Sequence, residues 1–183
     1  RDRFGMAGFE PVDADVLIVE STYGKPAYRF PDQSAVEREI VDWLADTSDS
    51  PVMLMGYALG RAQELSRLAD RAERSRIFMT PAIESLNRPI AAAAGREFRG
   101  SVYDAETELG PGDALVLPSQ TNSLSFVDRL HEKTDAVKAG FSGWATDDSY
   151  RFARDLDVAF PLSDHCDFDE LLSVVRAVDT DRV

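Results

Sequence analysis

Phe160-Pro161-Leu162-Ser163-Asp164-His165-Cys166-Asp167-Phe168 is the stretch that decides the fold, because an apolar strand ends in it and an amphipathic helix begins. The apolar spacing predicts the strand over residues 158–162 and the helix over residues 168–177. In α/β proteins, functional groups collect where a strand hands over to a helix. His165, one of two histidines in the chain, is therefore a candidate for proton transfer near neutral pH.

A second interpretation of the same stretch is purely structural. Ser163 or Asp164 could act as the N-cap of the helix, because short polar side chains accept hydrogen bonds from the first free amides. His165 would then be only a polar neighbour of the cap. The junction predicts a strand followed by a helix under either interpretation.

The same alternation of strands and helices extends upstream through the rest of the chain. Strands are predicted over residues 15–20, 51–55, 77–80, 114–118 and 136–141, and helices over residues 34–45, 60–69, 81–94 and 123–130. The run Asp-Val-Leu-Ile-Val-Glu at 15–20 is typical of a strand buried on both faces of a parallel sheet. Residues 95–112 are polar and predict the least regular structure. The fold class expected is α/β, with a mainly parallel sheet flanked by helices.

Composition limits the class of protein. The chain has 183 residues, 44% of them hydrophobic, and a formal net charge of −13. No stretch approaches the roughly 20 apolar residues that a membrane-spanning helix needs, and no basic and apolar leader opens the chain. We therefore expect a cytoplasmic protein without membrane contact. The opening residues read as the interior of a longer chain, so we expect the sequence to be a fragment.

The charge balance predicts a surface adapted to high salt. The excess of 33 acidic over 20 basic residues, with arginine preferred to lysine, suggests a halophilic source, since salt screens the repulsion within such a surface. The same balance argues against general nucleic-acid binding, which depends on lysine and arginine contacts to phosphates. A local groove lined with arginine remains compatible with it.

Two further segments could carry chemistry. Glu20 ends the predicted strand 15–20 and is followed by Ser21 and Thr22, so it is either a partner in catalysis or part of a simple turn. Gly60 and Arg61 lie between a strand and a helix, where backbone amides and a guanidinium could contact a phosphate. The glycine spacing is neither that of a P-loop nor that of a dinucleotide-binding motif, and the glycines could serve packing alone.

Two other reactive residues receive bland interpretations. His131 lies at the polar end of a helix and reads as a surface residue. Cys166 is adjacent to His165, but neighbouring residues at a strand and helix junction point in different directions, so we interpret it as a packing residue. One cysteine and two histidines also cannot complete a four-ligand structural zinc site without carboxylates.

In combination, three motifs resemble the β-CASP group of nucleases with a metallo-β-lactamase fold. They are Asp-Val-Leu-Ile-Val-Glu-Ser-Thr-Tyr-Gly at 15–24, Gly-Arg-Ala-Gln-Glu-Leu at 60–65 and Leu-Ser-Asp-His-Cys-Asp-Phe at 162–168. Ser-Gly-Trp at 142–144 and Tyr-Arg-Phe-Pro at 28–31 most resemble the DNA ligase-associated exonuclease branch, often named as mRNA 3′-end processing factor-like. The resemblance covers nearly the whole chain.

The resemblance implies a division of the chain and roles for its residues. Residues 25–159 would form the β-CASP domain, and residues 1–24 and 160–183 would be parts of the metallo-β-lactamase portion. Glu20 matches the acidic motif A and would orient His165, the motif B histidine, which would act as general acid in phosphodiester hydrolysis. DNA or RNA would be the substrate, a DNA ligase a possible associate, and nucleic acid would contact residues of the first two motifs. These contacts are Ser21, Thr22, Gly60 and Arg61.

The resemblance also implies a pair of zinc ions, the two-metal arrangement that activates water and clamps a phosphate. The histidine-rich zinc cluster of the group would lie upstream of Arg1, Asp2 lies too close to the strand to match the bridging aspartate, and the motif C histidine would lie beyond Val183. We therefore expect zinc in the complete protein and neither zinc nor hydrolysis in this chain alone. The alternatives are a non-catalytic relative that serves as a binding module, and a nucleotide-binding α/β domain with an anion at Gly60 and Arg61.

Overall fold

The computed structural model describes residues 10–183, which contain a six-stranded parallel sheet flanked by helices, as the alternating pattern predicts. The strands are β1 (Val52–Gly56), β2 (Arg76–Met79), β3 (Ser101–Val102), β4 (Asp113–Pro118), β5 (Val137–Phe141) and β6 (Val158–Phe160). The helices are α1 (Gln33–Asp46), α2 (Arg61–Arg71), α3 (Pro81–Ala94), α4 (Ser125–Thr134), α5 (Ser149–Ala153) and α6 (Phe168–Val178). The strand order is β3-β2-β4-β1-β5-β6.

Alternate residues of the central strands fill two separate cores. Val52 and Leu54 of β1 pack with α1, α2 and α3 on one face of the sheet, together with β4 residues on the same side. Met53 and Met55 of β1 point to the other face and pack with α4. Because both faces are covered, these strands need continuous apolar runs, which is how the sequence reads at 51–55 and 114–118.

The parallel arrangement brings every carboxyl end of the sheet to the same edge. The neighbouring strands β1, β5 and β6 lead there into the segment before α2, a short 3₁₀ turn at Gly143–Thr146 and the segment before α6. This edge is where open α/β sheets place ligands and reacting groups. The predicted site residues at 60–61 and 163–165 therefore emerge from strands only one strand apart.

The prediction of a buried strand over residues 15–20 is wrong for the described part of the chain. Only one isolated parallel bridge, Val16 to Arg182, forms in this segment, with the amide of Leu17 donating to the carbonyl of Arg182. Ile18 is 94% exposed. The apolar run has the composition of a sheet strand, but none of the strands between residues 10 and 183 lies beside it to cover its faces.

Smaller differences concern where elements begin and end. The last strand stops at Phe160 instead of residue 162, and α4 runs over Ser125–Thr134 instead of 123–130. Asp167, and neither Ser163 nor Asp164, caps α6: its side chain accepts from the amide of Glu170, and the Glu170 side chain accepts from the amide of Asp167. This reciprocal capping box satisfies two amides at once.

The remaining expectations about the fold concern the N-terminal residues and membrane-spanning helices. The interpretation of the opening residues as a chain interior, and the argument about Asp2, concern residues outside the described range 10–183. Across that range, every helix is too short or too polar to cross a lipid bilayer.

Candidate active site

Glu20 and His165, far apart in sequence, meet at the carboxyl edge of the sheet. The Glu20 Oε1 atom lies 3.2 Å from His165 Nδ1. Both side chains are about half exposed, 45% for Glu20 and 47% for His165. A carboxylate that accepts from Nδ1–H fixes the imidazole tautomer and orientation and leaves Nε2 to face a reacting group. The pair thus has the geometry of an oriented acid or base that substrate can reach.

The local hydrogen bonds hold Glu20 in its ionised form. Partial burial raises the pKa of Glu20, but hydrogen bonds from the Thr22 hydroxyl and amide and from His165 outweigh it and lower this pKa below its ordinary value. The Thr22 amide donates to Glu20 Oε2 at 2.8 Å. Glu20 therefore carries its negative charge at neutral pH, as an orienting carboxylate requires.

A cluster of aromatic rings forms the floor beneath this pair. Tyr23 is buried, and its ring centroid lies 4.9 Å from that of Phe30, 4.8 Å from that of Trp144 and 6.0 Å from that of His165. Tyr28 packs edge-on against both Tyr23 and Trp144. The rings join the segment after Glu20 to the 3₁₀ turn after β5, and so fix Glu20 relative to the sheet.

The Tyr23 hydroxyl adds a polar link inside this cluster. Burial raises the pKa of Tyr23, although hydrogen bonding with the side chains of Ser142 and Ser163 counteracts it. Ser163 is itself buried, and its Oγ accepts from the backbone amide of His165 at 3.2 Å. Tyr23 thereby connects the Glu20 segment to the loop that carries His165.

The remaining predicted contacts fall into two groups. Ser21 and Thr22 are exposed beside Glu20, in a turn closed by the Gly24 amide and the Ser21 carbonyl. Gly60 lies at the start of α2 with φ of 83°, and its amide donates to Gln63 Oε1 at 2.6 Å.

Arg61 is buried, unlike Ser21 and Thr22. Its guanidinium lies 2.5 Å from both Glu64 Oε2 and Asp164 Oδ1. The structure therefore groups Ser21 and Thr22 with the exposed pair, and links Arg61 to it through the neighbour of His165. A phosphate contact by Gly60 and Arg61 stays a prediction.

His131 and Cys166 occupy settings different from that of the Glu20 and His165 pair. His131 is partly buried in α4, with Nδ1 2.8 Å from the carbonyl oxygen of Ala136. Cys166 is partly buried and forms no disulfide. His131 therefore has a contact that accounts for it without a reaction.

A metal site requires several ligand side chains to lie close together. Within residues 10–183, no three histidine, cysteine, aspartate or glutamate side chains come close enough together to hold a metal ion. These residues therefore do not by themselves fit a pair of zinc ions. The zinc pair of the complete protein stays a prediction.

Sequence reasoning missed the features that support the pair. Residues 28–31 and 142–144 drew attention only through the family resemblance, whereas the structure makes their rings the packing partners of Tyr23. The aromatic residues that flank Gly24 were the available signal. The contact of Arg61 with Asp164 spans 103 residues, and no local pattern predicts a contact at that separation.

Comparison with known proteins finds relatives whose names refer to proteins that act on nucleic acids. The chain is 33% identical over 177 residues to a protein of Opitutus terrae named "Probable DNA ligase", covering 93% of this chain and 16% of that protein. It is 35% identical over 65 residues to an "RNase J-like protein" of Methanocaldococcus jannaschii, covering 34% of this chain and 15% of that protein.

A third relative is named as a transcription factor that acts in termination. The chain is 33% identical over 69 residues to the "Transcription termination factor FttA" of Methanocaldococcus jannaschii, covering 37% of this chain and 11% of that protein. No family model matches the chain. The chain thus corresponds to a small part of each relative, and the names of these relatives point to proteins that process nucleic acids.

Proposed function

We propose that this chain is part of a nuclease that hydrolyses phosphodiester bonds in DNA or RNA. The observation that carries the proposal is the contact of 3.2 Å between Glu20 Oε1 and His165 Nδ1. It joins two residues that the motif resemblance pairs and that ordinary packing does not require, because both side chains are half exposed. The names of the relatives support the same class of substrate.

In this proposal His165 is the general acid. Glu20 accepts the hydrogen bond from Nδ1–H and stabilises the protonated ring, so that Nε2–H can donate its proton to the leaving oxygen. The lowered pKa of Glu20 keeps the carboxylate ionised while the ring is protonated. Proton donation to a poor leaving group is worth about 10²- to 10⁴-fold in rate.

The finer features of the proposal concern the longer protein. Residues 25–159 would form the β-CASP domain and residues 1–24 and 160–183 would belong to a metallo-β-lactamase portion. That portion would also supply ligands for two zinc ions, whose chemistry is to activate water and to stabilise charge on the phosphate. We further propose an exonuclease or 3′-end processing activity, with a DNA ligase as a possible associate, as one relative's name suggests.

The alternative of a nucleotide-binding module rests on Gly60 and Arg61. Because the Gly60 amide donates to Gln63 and the Arg61 guanidinium contacts two carboxylates, these groups are engaged with protein partners. We therefore favour the nuclease over the nucleotide-binding domain.

The experiment is a cleavage assay on the longer protein that contains this chain, with labelled single-stranded DNA and RNA and added zinc. His165→Ala should lower the cleavage rate by about 10²-fold or more. His131→Ala is the matched control, since His131 Nδ1 lies 2.8 Å from the carbonyl oxygen of Ala136 at the end of its own helix, and it should cleave like wild type. Wild-type cleavage by His165→Ala would contradict the general-acid role.

A further inference from the structure

Arg61 is the most deeply placed charged residue near the candidate active site. It is 2% exposed, and its two terminal nitrogens reach different carboxylates, NH1 to Glu64 and NH2 to Asp164, each at 2.5 Å. Glu64 is also buried, whereas the Asp164 side chain is 32% exposed. One planar guanidinium thus bridges an internal residue of its own helix and a loop residue at the surface.

The bridge fixes the loop at the position next to His165. On the far side, Asp167 holds the loop by capping α6 and by accepting from the amide of Phe30 at 2.9 Å. On the near side, Ser163 Oγ accepts from the His165 amide. Asp164 adds the tie that runs across β5, from the end of β6 to the beginning of α2.

Gly56 provides the space that the Arg61 side chain occupies. A β-carbon at Gly56, the last residue of β1, would lie 2.5 Å from Arg61 Cγ and 2.8 Å from Leu65 Cδ1. Such distances require the neighbouring side chain to move. The absence of a side chain at 56 therefore allows the Arg61 stem to pass beneath the loop.

Arginine suits this position better than lysine. Its fork of donors has a fixed geometry and holds two acceptors at once, while an ammonium is a point charge on a flexible stem. Removing the guanidinium would also leave the buried Glu64 without this charge partner, which is costly in a low-dielectric interior. The bridge is thus built for orientation.

We propose that Arg61 is a positioning residue, which holds Asp164 and thereby keeps His165 in contact with Glu20. The proposal rests on the proposed function for its effect on catalysis, while its structural part concerns this chain alone. It assigns Arg61 to carboxylates of the protein and not to a phosphate of the substrate.

The structural part is tested by NMR on this chain, which has only two histidines. Asp164→Asn removes the charge that Arg61 holds but leaves Glu64 in place. It should shift the His165 imidazole resonances and lower the backbone order of residues 163–166, while the His131 resonances stay unchanged. Unaltered His165 resonances and loop order in Asp164→Asn would overturn the proposal.

Glu37→Gln is the matched control for this measurement. Glu37 pairs with Arg71, another arginine of α2, at 2.9 Å in a more exposed setting. The variant also removes a carboxylate partner of an α2 arginine, and its link to the bridge is indirect, through Gln33, which donates to Glu37 at 3.1 Å and to Glu64 at 3.5 Å. Its His165 spectrum should equal that of wild type, and a shift as large as that of Asp164→Asn would overturn a specific role for the bridge.

The catalytic part is tested by kinetics of the longer protein. Arg61→Lys and Asp164→Asn should each lower kcat by about 10-fold or more, because small misplacements of a reacting group are costly, with KM and its salt dependence unchanged. If Arg61 contacted a phosphate, KM would rise and the salt slope would fall by about one unit, and that result would overturn the proposal. A wild-type protein without cleavage would refute the proposed function, and the NMR result would still decide the structural part.

Discussion

Glu20 shows how local hydrogen bonds adjust the pKa of a partly exposed carboxylate. The pKa of Glu20 is lowered despite a contribution from burial that raises it, because the hydroxyl and amide of Thr22 and the ring of His165 donate to its oxygens. A carboxyl with a lowered folded-state pKa stabilises the fold above its unfolded pKa. This contribution is lost as the pH falls through the folded value.

His165→Ala should therefore raise the pKa of Glu20 in this chain. The variant removes a hydrogen bond and, when the ring is charged, a favourable charge interaction, so Glu20 should contribute less stability and this smaller contribution should be completely lost at a higher pH. The measurement is a carbon-13 NMR titration of the Glu20 side-chain carboxyl. Asp147, whose pKa is lowered by the side chain and amide of Ser149, is an internal control that should not change.

Arg74 has a structural role that no sequence pattern predicts. It is 2% exposed, and its guanidinium donates to the carbonyl oxygens of Leu44, Thr47, Ser50 and Asp113. Two of these carbonyls lie at the end of α1, where helices leave acceptors without an intrahelical partner. Burial lowers the pKa of Arg74, and the four acceptors stabilise its charge.

Arg74→Met should lower the free energy of unfolding by about 2–5 kcal/mol, because it leaves buried carbonyls without donors. Urea unfolding followed by circular dichroism measures the change. Arg99→Met is the control: Arg99 pairs with Asp70 at the surface, both side chains 51% exposed, and should cost less than about 1 kcal/mol. Equal losses in the two variants would contradict the role of Arg74.

At the scale of elements, the distance from a glycine to its neighbouring side chains determines whether that glycine can be replaced by alanine. A β-carbon at Gly143 would collide with the rings of Phe30 and Tyr23, in the cluster beneath the Glu20 and His165 pair. Gly110 has only a distant neighbour, an Asp113 oxygen at 4.0 Å. The two glycines therefore differ in the space available to a methyl group, although both lie in segments between elements.

Gly143→Ala should destabilise the chain by about 1–3 kcal/mol, the usual cost of forcing an added carbon into a packed site. It should also shift the Tyr23 and His165 side-chain resonances. Gly110→Ala, tested in parallel by thermal unfolding, should have a midpoint close to that of wild type. A wild-type midpoint and spectrum in Gly143→Ala would show that the aromatic cluster does not fix this turn.

The elements also show what sequence patterns can and cannot predict. The runs at 51–55 and 114–118 predict strands correctly, because continuous apolar sequence is what burial on both faces demands. The run at 15–20 has the same signal and forms only one bridge, since a strand also requires a neighbour and composition does not specify one. Likewise, the sequence suggests Ser163 or Asp164 as the cap of α6, whereas the structure uses Asp167, which also accepts from the amide of Phe30, a residue distant in sequence.

At the scale of the whole molecule, the net charge of −13 should make the unfolding temperature depend on salt. Self-repulsion among acidic residues opposes the compact state, and screening lengths fall from about 10 Å at 0.1 M to about 3 Å at 1 M salt. The midpoint measured by calorimetry at pH 7 should therefore rise between these two concentrations of KCl. The rise should shrink near the sequence pI of about 4.5, and an equal rise at both pH values would contradict the electrostatic explanation.

The alternation of strands and helices predicts the α/β sheet. The combined motifs predict that Glu20 and His165 form a pair. The sequence could not predict the means by which they meet. The Tyr23 cluster, the Arg61 bridge and the Asp167 cap all join residues from distant parts of the chain. Contacts at such separations depend on the packing of the whole sheet, and local spacing carries no information about them.

The most direct test of the Glu20 and His165 pair is a double-mutant cycle on cleavage by the longer protein, with kcat/KM measured for Glu20→Gln, His165→Ala and the double variant. If Glu20 acts only by orienting His165, the two losses are not additive. The double variant should then cleave no more slowly than His165→Ala alone. Losses that multiply in the double variant would show that the two residues act independently and would contradict the account.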